Sequence, residues 1–266
     1  MAIWTEARLA LETRAFEAGI EHSPSHTPAF AKTPGATGGL LGAVLRKAGF
    51  AGLDLRYNLT VSFTDAAKGT EDSKGTKIFQ VVGHVNKPGN YEVPLGTPFS
   101  DLLEMAGGVR EGHKLKGVIP GGSSMPVLPA DIIMDCTMDF DALSKVGSGL
   151  GSGAVIVMDD STCMVRACTR IAQFYHMESC GQCTPCREGT GWMHRLLTRI
   201  VDGKGREGDL ELLRSAAGQI EGHTICAFGE AAAWPVQGFL RHYWDEFEYF
   251  VKHGRSMVGE QQGRAA

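Results

Sequence analysis

The stretch ESCGQCTPCREGTGW, from Glu178 to Trp192, places three cysteines close together, Cys180, Cys183 and Cys186. Their C-x-x-C-x-x-C spacing puts three sulfurs on one tight loop. That is too crowded for a single zinc ion held by paired C-x-x-C knuckles, but it suits three corners of an iron–sulfur cube, which needs a fourth thiolate. Cys226, in HTICAFGEAA, is the candidate for that fourth ligand.

The residues around these cysteines have the pattern of amphipathic helices. Apolar residues recur at three and four residue spacing through MVRACTRIAQFYHM, WMHRLLTRIV, DLELLRSAAGQI and AAAWPVQGFLRHYWDEFEYFVKH. Four helices with short connections favour an antiparallel bundle, whose first-to-second and third-to-fourth loops lie at the same end, which brings Cys226 beside the other three. We expect Ser161 or Thr162 to cap the first helix, and Pro235 to lie in the first turn of the last.

Residues 75–160 predict a different kind of structure. The β-branched run KIFQVVGHV, the turn NKPGN and the run YEVPL are typical of a hairpin. A helix capped by Thr97 or Ser100 should end at Gly107 and Gly108, and the strands KGVI and AVIVM should follow. Strands and one helix in so short a segment predict a small β-grasp unit, which makes the fold class of the chain α+β.

The two ends of the chain are less regular. The leading segment contains a helix pattern over Glu6–Ala18, a linker-like run over His22–Gly39 and the strand pattern LDLRYNLTVSF. We therefore expect four parts. Residues 1–74 form a poorly defined leading segment that is partly linker, and residues 75–160 a β-grasp domain. Residues 161–250 form a four-helix iron–sulfur-binding bundle, and residues 251–266 a flexible tail.

Composition narrows the function classes. A formal net charge of −4 and a pI near 6.1 lack the basic excess of a nucleic-acid-binding protein. No apolar run approaches the roughly 20 residues that span a bilayer, and the N-terminal stretch MAIWTEARLALETR carries acidic residues where a secretory signal would be basic and then apolar. Seven cysteines, an odd number of which three are clustered, favour metal ligation in a reducing compartment over a disulfide framework. We expect no nucleic-acid partner, no membrane insertion and a cytoplasmic location.

Two alternatives concern the four candidate cysteines. Structural zinc could use the same four, or His223 in place of one, although its usual spacing is two separated C-x-x-C pairs. Redox thiols of C-x-x-C type normally sit in a thioredoxin-like βαβ pattern, which this sequence lacks. Cys136, Cys163 and Cys168 stand alone in the sequence and favour a buried structural role. Arg187 and His223 could offset a negative cluster or could be ordinary surface polarity.

From residue 75 to about Tyr249 the chain resembles the C-terminal portion of the flavoprotein subunit of respiratory complex I, the NADH-quinone oxidoreductase subunit that binds NADH and FMN. The resemblance rests on GTKIFQVVGHVNKPGNYEVPLG, IPGGSSMPVLP, MDFDALSKVGSGLGSGAVIVMD, ESCGQCTPCREGTGWM and IEGHTICAFGEAAAWPVQGFLRHY. It implies a β-grasp domain of the soluble-ligand-binding (SLBB) class and a bundle with one [4Fe-4S] cluster. Its implied ligands are Cys180, Cys183, Cys186 and Cys226.

The resemblance also implies a function. The expected role is iron–sulfur electron transport within an NADH dehydrogenase of the respiratory chain, passing single electrons from flavin to further clusters. The implied partners are a flavin-bearing domain and other iron–sulfur proteins of the complex, on the cytoplasmic or mitochondrial matrix side of the membrane. The family's FMN and NADH residues do not align with residues 1–75, so no flavin or nucleotide residue is predicted, and we expect the chain alone to be inactive with NADH.

Other functions fit the same residues. One is a non-catalytic module in which the metal only holds the bundle together; another is part of the diaphorase subunit of a soluble hydrogenase or formate dehydrogenase, which shares these motifs. At 266 residues the chain is short for the resembled family, as a split gene, a truncated copy or a fragment would be.

Overall fold

The structure is a computed structural model that describes residues 21–23, 54–56 and 68–258. The chain divides into two compact units, 1–66 and 67–266. In the first, strand β1 (Glu21–Ser23) pairs antiparallel with β2 (Asp54–Arg56). β2 lies within the predicted strand, whereas β1 takes two residues from the predicted linker, a correction that follows from its backbone pairing with β2. The predicted helix over Glu6–Ala18 lies outside the described residues.

The second unit opens with a five-stranded mixed sheet in the order β4-β3-β7-β5-β6. The hairpin of β3 and β4 is present as predicted, β3 runs parallel to β7, and β5 is antiparallel to both β7 and β6. The strands are β3 (Thr76–Gly83), β4 (Gly89–Pro94), β5 (Leu115–Ile119), β6 (Leu128–Pro129) and β7 (Ala154–Asp159). Together with the helices this confirms the α+β class.

Side chains along β3 point alternately to a buried and an exposed face of the sheet. Phe79 and Val81 of β3 are buried while their neighbours Ile78 and Val82 are exposed, as expected for a strand with one covered face. Helix α1 (Phe99–Met105) covers that face with its three buried residues, Phe99, Leu102 and Leu103. Two short helices that the sequence did not reveal follow, α2 (Ala130–Met134) and α3 (Phe140–Lys145).

The ends of α1 test the predicted helix signals. The N-cap is Pro98, without a side-chain hydrogen bond, so the predicted cap by Thr97 or Ser100 is wrong. The Thr97 hydroxyl instead donates to the Pro94 carbonyl over 2.7 Å, because it belongs to the turn that follows β4. The predicted end is correct: Gly107 and Gly108 have φ angles of 76° and 74° and donate to carbonyls of the last helical turn.

Four long helices form the remainder, as predicted. α4 packs on α5, α5 on α6, α6 on α7, and α7 returns to α4, so the four close into a bundle. Its core holds Met193, Leu197, Leu213, Phe239 and Phe247, all fully buried. The helices are α4 (Met164–Glu178), α5 (Thr184–Val201), α6 (Asp209–Ile220) and α7 (Phe228–His253). No helix in the described part of the chain is long and apolar enough to cross a membrane.

Two predicted details of the bundle are wrong. Neither Ser161 nor Thr162 caps α4, whose N-cap is Cys163 without a side-chain bond; the Met164 amide donates instead to a carboxylate of α7 over 3.2 Å. Pro235 lies inside α7 and not in its first turn, because that helix begins three residues earlier than its apolar pattern indicated. α7 ends at His253, as its predicted pattern did, three residues beyond the predicted domain boundary at 250, and Gly254, whose φ is 66°, is its C-cap.

The sheet and the bundle are joined by a half-buried polar contact. Lys116 of β5 forms an ion pair with Glu246 of α7 (Nζ to Oε1, 2.6 Å), and the Tyr243 hydroxyl donates to the Lys116 carbonyl over 2.9 Å. Glu246 is also the carboxylate that accepts from the Met164 amide. One side chain of α7 therefore holds both a strand of the sheet and the start of α4.

Candidate metal centre

The first cysteine loop connects α4 to α5. α4 ends at Glu178, and the backbone turns at Gly181, whose φ of 75° suits glycine. Cys183 has extended backbone angles and is the N-cap of α5, and Cys186 lies in the first turn of that helix. Pro185 favours a helix start at this point. The triplet therefore spans a loop and a helix N-terminus, where free backbone amides favour negative groups.

Local hydrogen bonds hold this loop in shape. Arg187 donates to the Gly181 carbonyl over 3.0 Å and forms an exposed ion pair with Glu188. The Thr190 hydroxyl, which is buried, donates to the Cys186 carbonyl over 2.8 Å. Arg187 thus bonds the backbone of the loop itself, a structural role that the sequence did not distinguish from charge compensation.

The second loop connects α6 to α7 and carries Cys226. Glu221, its first residue, accepts from the Trp234 indole over 2.7 Å and from the Gln237 amide over 2.8 Å, both on α7. The hydrogen bonds from Gln237 and from Trp234 lower the pKa of the Glu221 carboxyl below its ordinary value. The Thr224 hydroxyl donates to the Cys226 carbonyl over 2.8 Å. This loop is therefore fastened at its start to α7.

The bundle topology brings these two loops to one end. Burial raises the pKa of the Cys186 thiol, and the charges of Cys183, Cys180 and Cys226 raise it further, since all three lie close enough to repel a thiolate there. Cys186 is 5% exposed, Cys183 is half-buried, and the other two are exposed. Four thiols from two loops therefore lie near one another, from the buried Cys186 to the exposed Cys180 and Cys226, an arrangement that positive metal ions would stabilise.

The spacing of the sulfurs bears on which metal fits. A tetrahedral zinc ion with Zn–S bonds of about 2.3 Å requires sulfurs about 4 Å apart. Within the described residues no three of the four cysteines have sulfurs within 4.8 Å of one another. A cluster spreads its metal over several atoms and tolerates a wider ligand set. The wider spacing of the four sulfurs fits an iron–sulfur cluster better than one zinc ion. His223 Nδ1 lies 2.8 Å from the Glu221 carbonyl, a contact that metal-binding histidines commonly make with the nitrogen that does not bind the metal, so it does not remove His223 as a ligand.

The other three cysteines are buried and lie apart from this end of the bundle. Cys136 is packed with the sheet, and Cys163 and Cys168 with the bundle. Burial raises the pKa of the Cys168 thiol far above its ordinary value, as expected for a thiol that stays protonated. Their burial agrees with the structural role predicted for them.

A second polar cluster lies at the end of β7. Asp159, which is fully buried, accepts from Arg110 (2.9 and 2.6 Å) and Ser161 (2.5 Å), and its Oδ1 lies 2.8 Å from His84 Nδ1. Burial opposes its ionisation, but bonds from Ser161 and Arg110 and the nearby His84 outweigh it and lower the pKa to about 2. Possible metal-ligand atoms lie close together on His113, Asp159 and Asp160. The buried carboxylate among them, that of Asp159, is already paired with the Arg110 guanidinium.

Comparison with known proteins supports the cysteine centre. Residues 166–250 match the family model described as the NADH-ubiquinone oxidoreductase-F iron-sulfur binding region, and residues 78–128 match the SLBB domain. The F subunit of NADH-quinone oxidoreductase from Rickettsia typhi is 54% identical over 190 residues, and that from Rickettsia akari 52% over 189. These alignments cover 71% and 70% of this chain but 45% and 44% of the relatives, so the chain spans less than half of their length.

The chain is also similar in fold to solved structures. The chain is similar to a chain of NAD⁺-reducing [NiFe]-hydrogenase in the H₂-reduced state, with a TM-score of 0.65 and 31% identity, covering 79% of this chain and 34% of that one. Fold and site thus define an iron–sulfur-binding helical bundle preceded by an SLBB domain. The chain corresponds to a C-terminal portion of the F subunit of NADH-quinone oxidoreductase, which confirms the resemblance and the iron–sulfur cofactor predicted from the sequence.

Several residues of this centre were not found from the sequence. Ser179 lies with its hydroxyl 3.2 Å from Cys186 Sγ and accepts from the Gly181 amide over 3.3 Å. Glu221 and Trp234 fasten the second loop. The position of Ser179 next to Cys180 in the sequence could have indicated its role. The bond from Trp234 to Glu221 links a helix to a loop residue thirteen positions earlier, and no sequence pattern indicates it.

Proposed function

We propose that this chain is the electron-relay part of an NADH-quinone oxidoreductase, with Cys180, Cys183, Cys186 and Cys226 as the four ligands of one [4Fe-4S] cluster. The observation that carries the proposal is the gathering of four thiols from two loops at one end of the bundle. When bound, such a cluster accepts and passes on single electrons. We further propose that residues 75–160 and 161–250 are its two domains.

The chain's own residues hold and partly expose this centre. Cys186 is buried and anchors the inner side, while Cys180 and Cys226 are exposed. Electron transfer between proteins requires that one side of a redox centre reach a partner, and the exposed pair leaves that side open. The depth of Cys186 limits water around the inner sulfur, and water exposure is one of the factors that set the reduction potential.

The proposed partners follow from the same surface. We propose that a flavin-bearing domain delivers electrons one at a time, and that another iron–sulfur protein of the complex receives them. The assembly would sit in the cytoplasm, or on the matrix side in an organelle. Similarity to the hydrogenase chain favours a second host of the same kind, a soluble diaphorase, in which the relay would be unchanged.

Metal analysis of the anaerobically purified and reconstituted chain tests the proposal. We expect about four irons and four sulfides per chain and an EPR signal on reduction with dithionite. Stoichiometric zinc without iron-dependent absorbance would contradict it. Since no flavin or nucleotide residue is predicted, the chain alone should not reduce a dye with NADH. NADH-driven dye reduction by the pure chain would show that it contains a flavin site.

A further inference from the structure

The hydroxyl of Ser179 contacts a cysteine sulfur of the centre. Its Oγ lies 3.2 Å from Cys186 Sγ, within range of a hydrogen bond to sulfur. The same Oγ accepts from the Gly181 amide over 3.3 Å. Ser179 is half-buried and is the C-cap of α4, directly before Cys180 in the sequence.

The direction of this hydrogen bond follows from the chemistry of the ligand. A cysteine that binds metal is a thiolate and has no proton to donate. The amide of Gly181 occupies a lone pair of Ser179 Oγ, which leaves the hydroxyl proton for the sulfur. Ser179 is therefore the donor and Cys186 Sγ the acceptor once metal is bound.

The position of Cys186 makes this bond stronger than one at the surface. Cys186 is 5% exposed, whereas Cys180 and Cys226 are exposed to solvent that can donate to their sulfurs. Electrostatic interactions are screened less where water is excluded. A single donor on the buried sulfur should influence the centre more than a donor on either exposed one.

We propose that Ser179 is a positioning residue that raises the reduction potential of the cluster through its hydrogen bond to Cys186 Sγ. The inference rests on the proposed function. The cluster becomes more negative by one charge when it takes up one electron, so a donor to its sulfur stabilises the reduced state more than the oxidised state. Removing the hydroxyl should lower the potential without removing a ligand.

The test is a potentiometric titration of the reconstituted chain, followed by EPR, with dithionite as the electron donor. Ser179→Ala should keep about four irons and shift the midpoint potential to a more negative value, up to a tenfold change in the one-electron equilibrium constant, or about 59 mV. Ser179→Thr, which retains a hydroxyl, should remain close to the wild type.

Thr190→Val is the matched control. It removes a buried hydroxyl that bonds the carbonyl of Cys186 and not its sulfur, so it should lower the melting temperature and leave the potential unchanged. An unchanged potential in Ser179→Ala with full iron content would overturn the proposal. So would equal shifts in Ser179→Ala and Thr190→Val, since they would indicate general loosening of the loop.

A measurement on the wild type covers the case in which Ser179→Ala loses its iron. Exchange into D₂O should shift the Fe–S stretching bands in resonance Raman spectra, because the hydroxyl proton is exchangeable; absence of any shift would also overturn the proposal. A wild-type chain that binds no cluster would instead refute the proposed function itself, so the two failures are distinguishable.

Discussion

The indole Nε1–H of Trp234 donates to Glu221 Oε1 over 2.7 Å, and this bond joins α7 to the first residue of the loop that carries Cys226. Glu221 is half-buried and its second oxygen accepts from Gln237. Bonds to a charged acceptor are stronger than neutral ones. The position of the fourth cysteine therefore depends on two side chains from the second and third turns of a neighbouring helix.

Trp234→Phe should weaken that loop. A smaller aromatic ring remains and the donor is lost; the lost hydrogen bond alone should cost about 1.5 kcal/mol of folding free energy, the lower end for a bond to a charged group. We expect a lower melting temperature and faster iron loss in air, measured by absorbance. Trp244→Phe is the control: Trp244 is also on α7 and contacts Arg214, with its ring 5.2 Å from the guanidinium carbon, and the rate of iron loss should not change. Equal rates in Trp234→Phe and the wild type would contradict the expectation.

Serine variants should distinguish the cysteines that bind the cluster from those that do not. Because a cluster bound by both loops joins them, its binding free energy adds to folding free energy. Cys183→Ser and Cys226→Ser should lower iron content and melting temperature together. Cys136→Ser and Cys163→Ser should keep the iron. Their free energy of unfolding should fall by only about 1–3 kcal/mol, because each places a polar hydroxyl at a buried position. Iron assays and thermal melts of the four variants test this; full iron in Cys226→Ser with loss in Cys163→Ser would refute the ligand assignment.

Close packing between α5 and α6 should be sensitive to a single methyl group. A Cβ added at Gly189 would lie 2.6 Å from Ile220 Cγ1, so Gly189→Ala forces the two helices or the Ile220 side chain to shift. We expect this to lower the free energy of unfolding by about 1–3 kcal/mol. Gly218→Ala, in α6 with open space around it, should instead stabilise the chain by about 0.5–1 kcal/mol. Urea unfolding curves measure both. Similar effects of the two substitutions would show that α5 and α6 are not in contact at Gly189.

The buried carboxylate of β7 predicts a pH dependence. The pKa of Asp159 is about 2 against an ordinary 3.8. The ionised carboxylate therefore contributes about 2 kcal/mol to the free energy of unfolding. This contribution is fully present above pH 4 and is lost as the pH falls toward 2. Asp159→Asn should lower the unfolding free energy at pH 7, and the difference from the wild type should shrink below pH 4. Urea unfolding at pH 7, 5 and 3 tests this. Asp160→Asn, at an exposed neighbour, should have a smaller effect; a difference independent of pH in Asp159→Asn would contradict the assignment.

Sequence reasoning succeeded where the signal is local. The C-x-x-C-x-x-C spacing, the apolar period of the four helices and the glycine pair at Gly107 depend on residues a few positions apart. It failed where a partner is distant. The amide of Met164 bonds Glu246, 82 positions away, so no nearby serine or threonine was needed as a cap. Pro235 was misplaced because α7 extends beyond its apolar pattern.

The sequence by itself determined the α+β class, the bundle and the identity of the four candidate cysteines, because periodicity and metal-ligand spacing are properties of short segments. Only the tertiary structure decided which cysteine is buried, which hydroxyl reaches its sulfur and which helix fastens the loop of Cys226. Those features depend on the meeting of α4 with α5 and of α6 with α7. Helix packing sets these contacts through the summed fit of many side chains, which no single segment encodes.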